Sequence, residues 1–167
     1  MKKALLVVDM QEICVGENHS TYFKYDNEKL IRAVNEVIDA NESNMVIYIK
    51  NVMKKDTVNK YAQFLAYEGT KESELVSSLH IVSEYVFTKH QADAFSNPKL
   101  NDFLKEHHIE CVEVIGIDGG GCAALTALGA VKAGYRVIVN ETAIQTMFEK
   151  NKEKCYKKLQ EMGARFV

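Results

Sequence analysis

One stretch of the chain, from Cys111 to Gly134, constrains the fold more than any other. Its first part is rich in β-branched residues, which predicts a buried parallel strand. Four glycines and an aspartate then follow within six residues, a composition typical of a turn and not of a strand interior. After Cys122 a run of small residues predicts a helix that ends at Gly134. The stretch therefore predicts a strand, a sharp turn and a helix, with a thiol at the helix N-terminus.

The position of Cys122 is suited to a nucleophile. Unpaired N–H groups and the positive end of the helix dipole favour a thiolate and any oxyanion formed beside it. Two other interpretations are open on this stretch alone. A strand, a glycine-rich turn and a helix also bind phosphate in many nucleotide-binding folds, and a buried cysteine often serves only as a small apolar residue. The spacing matches neither G-x-G-x-x-G nor a P-loop.

Length and composition limit the class of protein. The 167 residues suit a single domain spanning residues 1–167, and the hydrophobic content of 47% indicates a globular chain. A net charge of −2 gives no reason to expect nucleic acid or an anionic membrane as a partner. No apolar run is long enough to span a bilayer, and the first strand follows Met1 too closely for a signal peptide. Four cysteines without C-x-x-C spacing are typical of reduced thiols, so we expect a cytoplasmic protein.

Hydrophobic patterning predicts strands alternating with helices. Strands are predicted at 4–9, 45–50, 85–89, 111–117, 136–140 and 164–167. Helices are predicted at 27–40, at 72–79, from Asn97-Pro98 onward, at 123–133 and at 151–162. The polar segment 51–69 is interpreted as a lid or a short helix over a pocket. This alternation predicts a three-layer α/β/α fold on a six-stranded parallel sheet.

Three polar residues each stand at the carboxyl end of a predicted strand or in the turn beyond it: Asp9, Lys89 and Cys122. Ligands of open α/β sheets bind at that edge, so we expect the three side chains to converge. Each alone has an ordinary explanation, as a turn cap, a solvated cation or a core thiol. Together they supply an acid, a cation and a thiol at one edge of the sheet.

The chain resembles the isochorismatase-like cysteine hydrolases, which include nicotinamidases and N-carbamoylsarcosine amidohydrolases. The segments that carry the resemblance are 6–11, 88–95, 116–130, 133–137 and 140–143. The resemblance implies a six-stranded, Rossmann-like parallel sheet and an Asp-Lys-Cys triad formed here by Asp9, Lys89 and Cys122. It implies a hydrolase of non-peptide C–N bonds (amide, ureido or carbamoyl) that works through a thioester and uses no organic cofactor.

The resemblance also places a cis peptide bond between Ile117 and Asp118. The backbone N–H groups of Asp118 and Cys122 are then the candidate donors of an oxyanion hole. The family commonly has a small neutral residue where this chain has Asp118. That carboxylate either repels a thiolate or binds a cationic or hydrogen-bond-donating substrate. Further candidates for substrate contact are the side chains of Gln11, Tyr61, Phe64 and Phe95, although core packing is equally open for Phe95.

The nicotinamidase branch carries a metal-binding Asp-x-His after its second strand, where this chain has Asn51-Val52-Met53. We therefore expect no catalytic zinc, and nicotinamide is a less favoured substrate. Two alternatives remain. One is the vinyl-ether hydrolase branch, which shares Asp9 and Lys89 but uses no cysteine nucleophile. The other is a non-catalytic small-molecule binder or a redox-responsive protein on the same scaffold. The small-residue segment 123–133 and the resemblance together predict a homo-oligomer, a dimer or tetramer.

Overall fold

The computed structural model describes residues 1–55 and 64–167, and contains one six-stranded sheet. The strands are β1 (Lys3–Val8), β2 (Met45–Asn51), β3 (Val86–Lys89), β4 (Cys111–Ile117), β5 (Arg136–Gln145) and β6 (Arg165–Phe166). The helices are α1 (Glu12–Val15), α2 (Asn27–Ala40), α3 (Pro98–Glu106), α4 (Cys122–Lys132) and α5 (Glu149–Glu161). The strand order is β3-β2-β1-β4-β5-β6, and every pair is parallel. The predicted fold class is confirmed.

Two apolar cores cover the two faces of the sheet, because side chains alternate along each strand. Leu6 and Val8 of β1 pack with α3, α4 and α5 on one face. Leu5 and Val7 pack with α1 and α2 on the other. Since β1 and β4 lie at the centre of the sheet and are buried almost throughout, the residues that follow them are held on a rigid base.

The helix boundaries follow from local chemistry. The side chain of Asp26 accepts a hydrogen bond from the Lys29 N–H and caps α2, which begins and ends as predicted. The side chain of Asn97 caps α3 in the same way, with Pro98 as the first helical residue. In the described residues, no helix combines the length and the apolar character needed to cross a bilayer.

The predicted helix at 72–79 is wrong. Only a 3₁₀ turn forms there, at Lys71–Ser73, and the chain then becomes extended. Leu75 pairs with Gln11 in an antiparallel bridge, and the Val76 N–H donates to the Met10 carbonyl. The middle of this segment therefore bonds to the residues that follow β1 and makes only isolated turns of its own, which a helical pattern in the sequence does not reveal.

Strand β5 is longer than predicted, and the short helix α1 was not predicted. The pairing register between β4 and β5 shifts between Val114 and Gly116, which allows β5 to continue beyond Asn140 to Gln145. Helix α1 has four residues, too few for a helical period to be visible in the sequence.

Helix α4 is covered within the chain itself. Apart from the exposed Leu125 and Lys132 and the half-buried Cys122 and Val131, the residues of this helix are buried, and the helix packs against the sheet, α5 and the 3₁₀ turn at Ala94–Ser96. Packing within the chain therefore explains the apolar composition of α4, and this composition does not indicate an oligomer. The oligomer remains an expectation that rests on the resemblance alone.

At Gly116, strand β4 lies too close to β1 to leave room for a side chain. Gly116 has a φ of +105°, and a β carbon there would collide with the carbonyl oxygen of Val8 on the neighbouring strand. We expect Gly116→Ala to lower the free energy of unfolding by about 3 kcal/mol, through strain and overpacking together. Gly134→Ala is the matched control, because Gly134 has φ +95° but nothing within 4 Å of its β-carbon position.

For Gly134→Ala we expect a loss of only about 1 kcal/mol, from the positive φ alone. Urea unfolding of both variants measures the difference. Equal losses in the two would show that the contact with β1 contributes nothing.

Candidate active site

The carboxylate of Asp9 lies at the centre of the sheet edge, immediately after β1. Asp9 has a φ of +56°, and its N–H donates to the Ile49 carbonyl oxygen at 3.0 Å. Aspartate is one of the few residues with a side chain that adopts this left-handed conformation readily. The residue is 5% exposed, and its Oδ1 accepts no hydrogen bond from the described residues. A buried carboxylate therefore retains one unused acceptor.

Lys89 ends β3, and β2 lies between it and β1. Its side chain spans that distance, and Nζ donates to Asp9 Oδ2 at 3.1 Å while the lysine is only 1% exposed. Burial acts to lower the pKa of Lys89, but the charges of Asp9 and Cys122 and their hydrogen bonds raise it above its ordinary value. Lys89 is therefore a buried ammonium paired with a carboxylate.

Cys122 is the first residue of α4, with Gly121 before it at the N-cap. Its thiol interacts with both Asp9 and Lys89. Burial, followed by the charge of Asp9, raises the pKa of the thiol from 9.0 to about 12, although Lys89 opposes the change. Desolvation and the nearby carboxylate thus outweigh the helix N-terminus and the ammonium, which favour a thiolate, and the thiol is the favoured form at neutral pH.

The raised pKa predicts how Cys122 reacts with iodoacetamide. Only the thiolate reacts, so the rate should rise about tenfold per pH unit between about pH 8 and 10 without reaching a plateau. Mass spectrometry of the peptide that contains Cys122 measures this rate. In urea-unfolded protein the same cysteine should level off above about pH 9. A plateau near pH 7 in the folded protein would mean that the thiolate is the resting form.

The turn between β4 and α4 leaves two amides unpaired beside the sulfur. Neither the Asp118 N–H nor the Cys122 N–H has an acceptor among the described residues, whereas the N–H groups of Gly119, Gly120 and Gly121 all have one. The Ile117–Asp118 peptide bond is cis, as the resemblance implies. The two predicted oxyanion donors are therefore available for a ligand atom.

The Asp118 carboxylate is not free to bind a cationic or hydrogen-bond-donating substrate. It is buried, and each of its oxygens already accepts two hydrogen bonds. The charges that act on the pKa of Cys122 are those of Asp9 and Lys89. Asp118 lines the cavity described below, but all four of its hydrogen-bond donors belong to the protein. Its contacts therefore match neither of the two roles considered from the sequence, substrate binding and repulsion of a thiolate.

A cavity of about 150 Å³ opens beside Asp9 and Cys122. Its walls are mainly aromatic and aliphatic, and Phe64 is among them, as predicted. Phe64 packs against Tyr22 and Phe23, with ring centroids 5.5 and 4.8 Å apart. The described residues that line the cavity include no lysine, arginine or histidine. The space therefore suits a small uncharged group.

The other predicted contact residues have different positions. Gln11 lines the cavity, but its amide bonds to the backbone of Asn51 and Ser73 and so joins β2 to the 3₁₀ turn. The prediction for Phe95 is corrected: it packs against Tyr135, in the core on the side of α3 and α4, and is not among the described residues of the cavity wall. Tyr61 lies outside the described residues.

Several wall residues were not predicted from the sequence. They are Ile13, Cys14, Tyr22, Phe23, Tyr25 and Phe148. Most of them lie in or near the loop between α1 and α2, which has no period that indicates a buried face. For those before α2 the only signal was their closeness in sequence to Asp9, and Phe148 had no signal. Cys14 is a second thiol in the same cavity, and burial raises its pKa well above the ordinary value.

The end of β2 does not supply a zinc site of the nicotinamidase kind. Asn51 and Met53 take the places of the carboxylate and the imidazole, and the nearby His90 bonds through Nδ1 to the Val52 carbonyl. Within residues 1–55 and 64–167, no three His, Cys, Asp or Glu side chains lie close enough together to hold a metal ion. The expectation of a metal-free site remains an expectation.

The sheet is parallel, with the order β3-β2-β1-β4-β5-β6, and it carries an acid, a cation and a thiol at its carboxyl edge. These features place the chain among the α/β proteins that have a cysteine at this edge of the sheet. The family model described as "Isochorismatase domain" matches residues 3–167, so the chain belongs to the isochorismatase family. A comparison with curated proteins gives no match.

Solved structures of similar fold cover almost the whole chain. N-carbamoylsarcosine amidase from Thermoplasma acidophilum is 26% identical with a TM-score of 0.83, over 99% of this chain and 95% of that one. A pyrazinamidase/nicotinamidase from Streptococcus mutans is 22% identical with a TM-score of 0.85, over 99% and 100%. Pyrazinamidase from Pyrococcus horikoshii, solved with zinc, is 19% identical with a TM-score of 0.84, over 100% and 99%.

Proposed function

We propose that the chain is a cysteine-dependent hydrolase that cleaves the C–N bond of a small amide, ureido or carbamoyl compound. Cys122 is the nucleophile, Asp9 the general acid and base, and Lys89 the cation that stabilises the anion beside it. The observation that carries the proposal is the buried contact of these three side chains at the mouth of an apolar cavity. Membership of the isochorismatase family and the amidase and nicotinamidase structures of similar fold support it.

The first step is transfer of the Cys122 proton to Asp9 as the sulfur attacks the substrate carbonyl carbon. Because the thiol has a raised pKa, it needs this base at neutral pH. The transfer converts a carboxylate and a thiol into a carboxylic acid and a thiolate. The site therefore holds one anion beside the Lys89 ammonium before and after the step, and no additional charge is buried.

Attack produces a tetrahedral intermediate whose oxygen carries the negative charge. The unpaired N–H groups of Asp118 and Cys122 are the donors for this oxyanion, a role typically worth about 3 kcal/mol per donor. Protonated Asp9 then gives its proton to the leaving nitrogen, and the C–N bond breaks. Water, deprotonated by Asp9, hydrolyses the thioester and returns the free thiol.

The cavity wall predicts discrimination by charge. A carboxylate on the substrate would be buried beside Asp9 and Asp118, with no cationic side chain among the described wall residues. We expect kcat/KM for a small neutral carboxamide to exceed that for the same compound with an added carboxylate by at least about 100-fold. Ammonia release from matched pairs of amides, ureas and carbamoyl compounds measures the ratio.

The same panel tests the proposed reaction. Ammonia release from one class of compound that disappears in Cys122→Ala supports the cysteine mechanism. Turnover of a vinyl ether that survives Cys122→Ala would favour the other branch of the family. Tight binding without turnover of any compound would favour a non-catalytic binder.

A further inference from the structure

We infer that Asp118 is a positioning residue, which holds the turn that carries Cys122 and the two unpaired N–H groups in place; this rests on the proposed function. Its carboxylate receives hydrogen bonds from three separate segments. Oδ1 accepts from the Gly120 N–H at 2.6 Å and from the Thr146 hydroxyl at 2.5 Å. Oδ2 accepts from the Tyr25 hydroxyl at 2.9 Å and from the Met147 N–H at 2.6 Å.

The main chain of Asp118 is tied to the nucleophile helix. Its carbonyl oxygen accepts from the Gly121 N–H at 3.0 Å and from the Ala123 N–H at 3.1 Å. The carboxylate thus fixes Asp118 to the end of β5 and to the loop before α2, while the carbonyl fixes it to the first turn of α4. A shift of Asp118 would move the sulfur of Cys122 relative to Asp9 and Lys89.

Asp118 also supplies one of the two unpaired N–H groups, so its orientation sets the donor directly. An oxyanion donor must lie at the position of the developing charge, and a displacement of about 1 Å costs about 100-fold in rate. Four hydrogen bonds to one carboxylate give the rigid support that such placement requires. The glycines beside Asp118 contribute backbone hydrogen bonds only, because they have no side chains.

Tyr25 extends this support to the cavity wall. Its hydroxyl donates to Asp118, its ring lines the cavity, and it packs against Phe23 with centroids 6.1 Å apart. Burial and the Asp118 charge raise the pKa of Tyr25, so the hydroxyl keeps its proton and remains the donor. The wall that contacts the substrate and the turn that carries the nucleophile are therefore joined through one carboxylate.

The test compares Asp118→Asn with Glu113→Gln. Glu113 is a second buried carboxylate. It lies near the start of β4, at the end remote from the turn, and accepts hydrogen bonds from Lys3 and Asn140. Asp118→Asn leaves the side chain its size but, in either orientation of the amide, places its N–H₂ against a backbone donor, the Gly120 N–H or the Met147 N–H. We expect a 10²- to 10³-fold loss in kcat with KM changed less than about threefold.

Glu113→Gln should lower Tm without changing kcat, because its contacts are remote from the site. A conservative pair covers the case in which Asp118→Asn does not fold. Thr146→Ser keeps the hydroxyl donor and should retain kcat, whereas Thr146→Val removes it and should lower kcat about tenfold. Unchanged kcat in both Asp118→Asn and Thr146→Val, with only Tm lowered, would overturn the inference.

A second measurement separates this inference from the proposed function, because it needs no substrate. The iodoacetamide rate of Cys122 reports the placement of the sulfur beside Asp9 and Lys89. We expect it to change at least threefold in Asp118→Asn and to stay constant in Glu113→Gln. If no amide is hydrolysed by the unmodified protein, the proposed function fails while this rate still decides whether Asp118 positions Cys122. An unchanged rate in Asp118→Asn overturns the inference whether or not the protein hydrolyses amides.

Discussion

Replacing Cys122 with alanine should lower kcat/KM for ammonia release by about 10⁴-fold or more, with the fold intact. Removal of the nucleophile leaves only binding and the oxyanion donors, which supply a small part of the rate enhancement. Cys122 begins α4 and is partly exposed toward the cavity, so the alanine removes few core contacts. Steady-state ammonia release and thermal unfolding of the same sample measure both effects.

Cys14→Ala is the matched control for this experiment. Cys14 is also a free cysteine that lines the cavity, but it lies on α1 and not at the start of α4. We expect Cys14→Ala to retain kcat within about threefold, with a loss of stability typical of a small buried deletion. If Cys14→Ala abolished turnover while Cys122→Ala retained it, the assignment of the nucleophile would be refuted.

Replacing Lys89 with methionine should abolish ammonia release and lower the free energy of unfolding by about 3–5 kcal/mol. The Asp9–Lys89 pair is almost fully buried, and removal of one partner leaves an uncompensated charge in a low-dielectric interior. A second substitution at Asp9, to asparagine, should restore most of the stability but no activity, because the charge is then gone and so is the base. Urea unfolding measures the first effect and ammonia release the second.

The control for Lys89 is an ion pair of similar length at the surface. Lys50 Nζ lies 3.0 Å from Glu74 Oε2, and the Glu74 side chain is 55% exposed. The Lys50 side chain is 15% exposed, but solvent reaches the Glu74 carboxylate and can replace its hydrogen bond, so Lys50→Met should lower the free energy of unfolding by no more than about 1 kcal/mol. Equal losses of unfolding free energy in Lys50→Met and Lys89→Met would contradict the view that burial makes the Asp9–Lys89 pair important for stability.

The sequence by itself determined the layer architecture and most of the elements. Period-two and continuous apolar runs predicted the strands, and caps such as Asn97-Pro98 predicted helix starts, because these signals act within one segment. The rule that ligands bind at the carboxyl edge of a parallel sheet also selected Asp9, Lys89 and Cys122 before any contact was known. Residues at strand ends are informative because the topology brings them together.

Only the tertiary structure decided what these side chains experience and which residues surround them. The pKa of Cys122 depends on burial and on Asp9, which lies 113 residues earlier in the chain, and the helix N-terminus visible in the sequence is only one of the influences on it. The helix predicted at 72–79 was lost to pairing with the loop after β1, a contact between distant segments. The sequence made Asp118 a candidate for binding substrate, whereas in the structure its carboxylate accepts four hydrogen bonds from the protein. Three of the donors lie about 30 to 90 residues away in the chain. Local patterns record what a segment prefers, whereas the cavity and its charges arise from contacts between segments, which no single segment encodes.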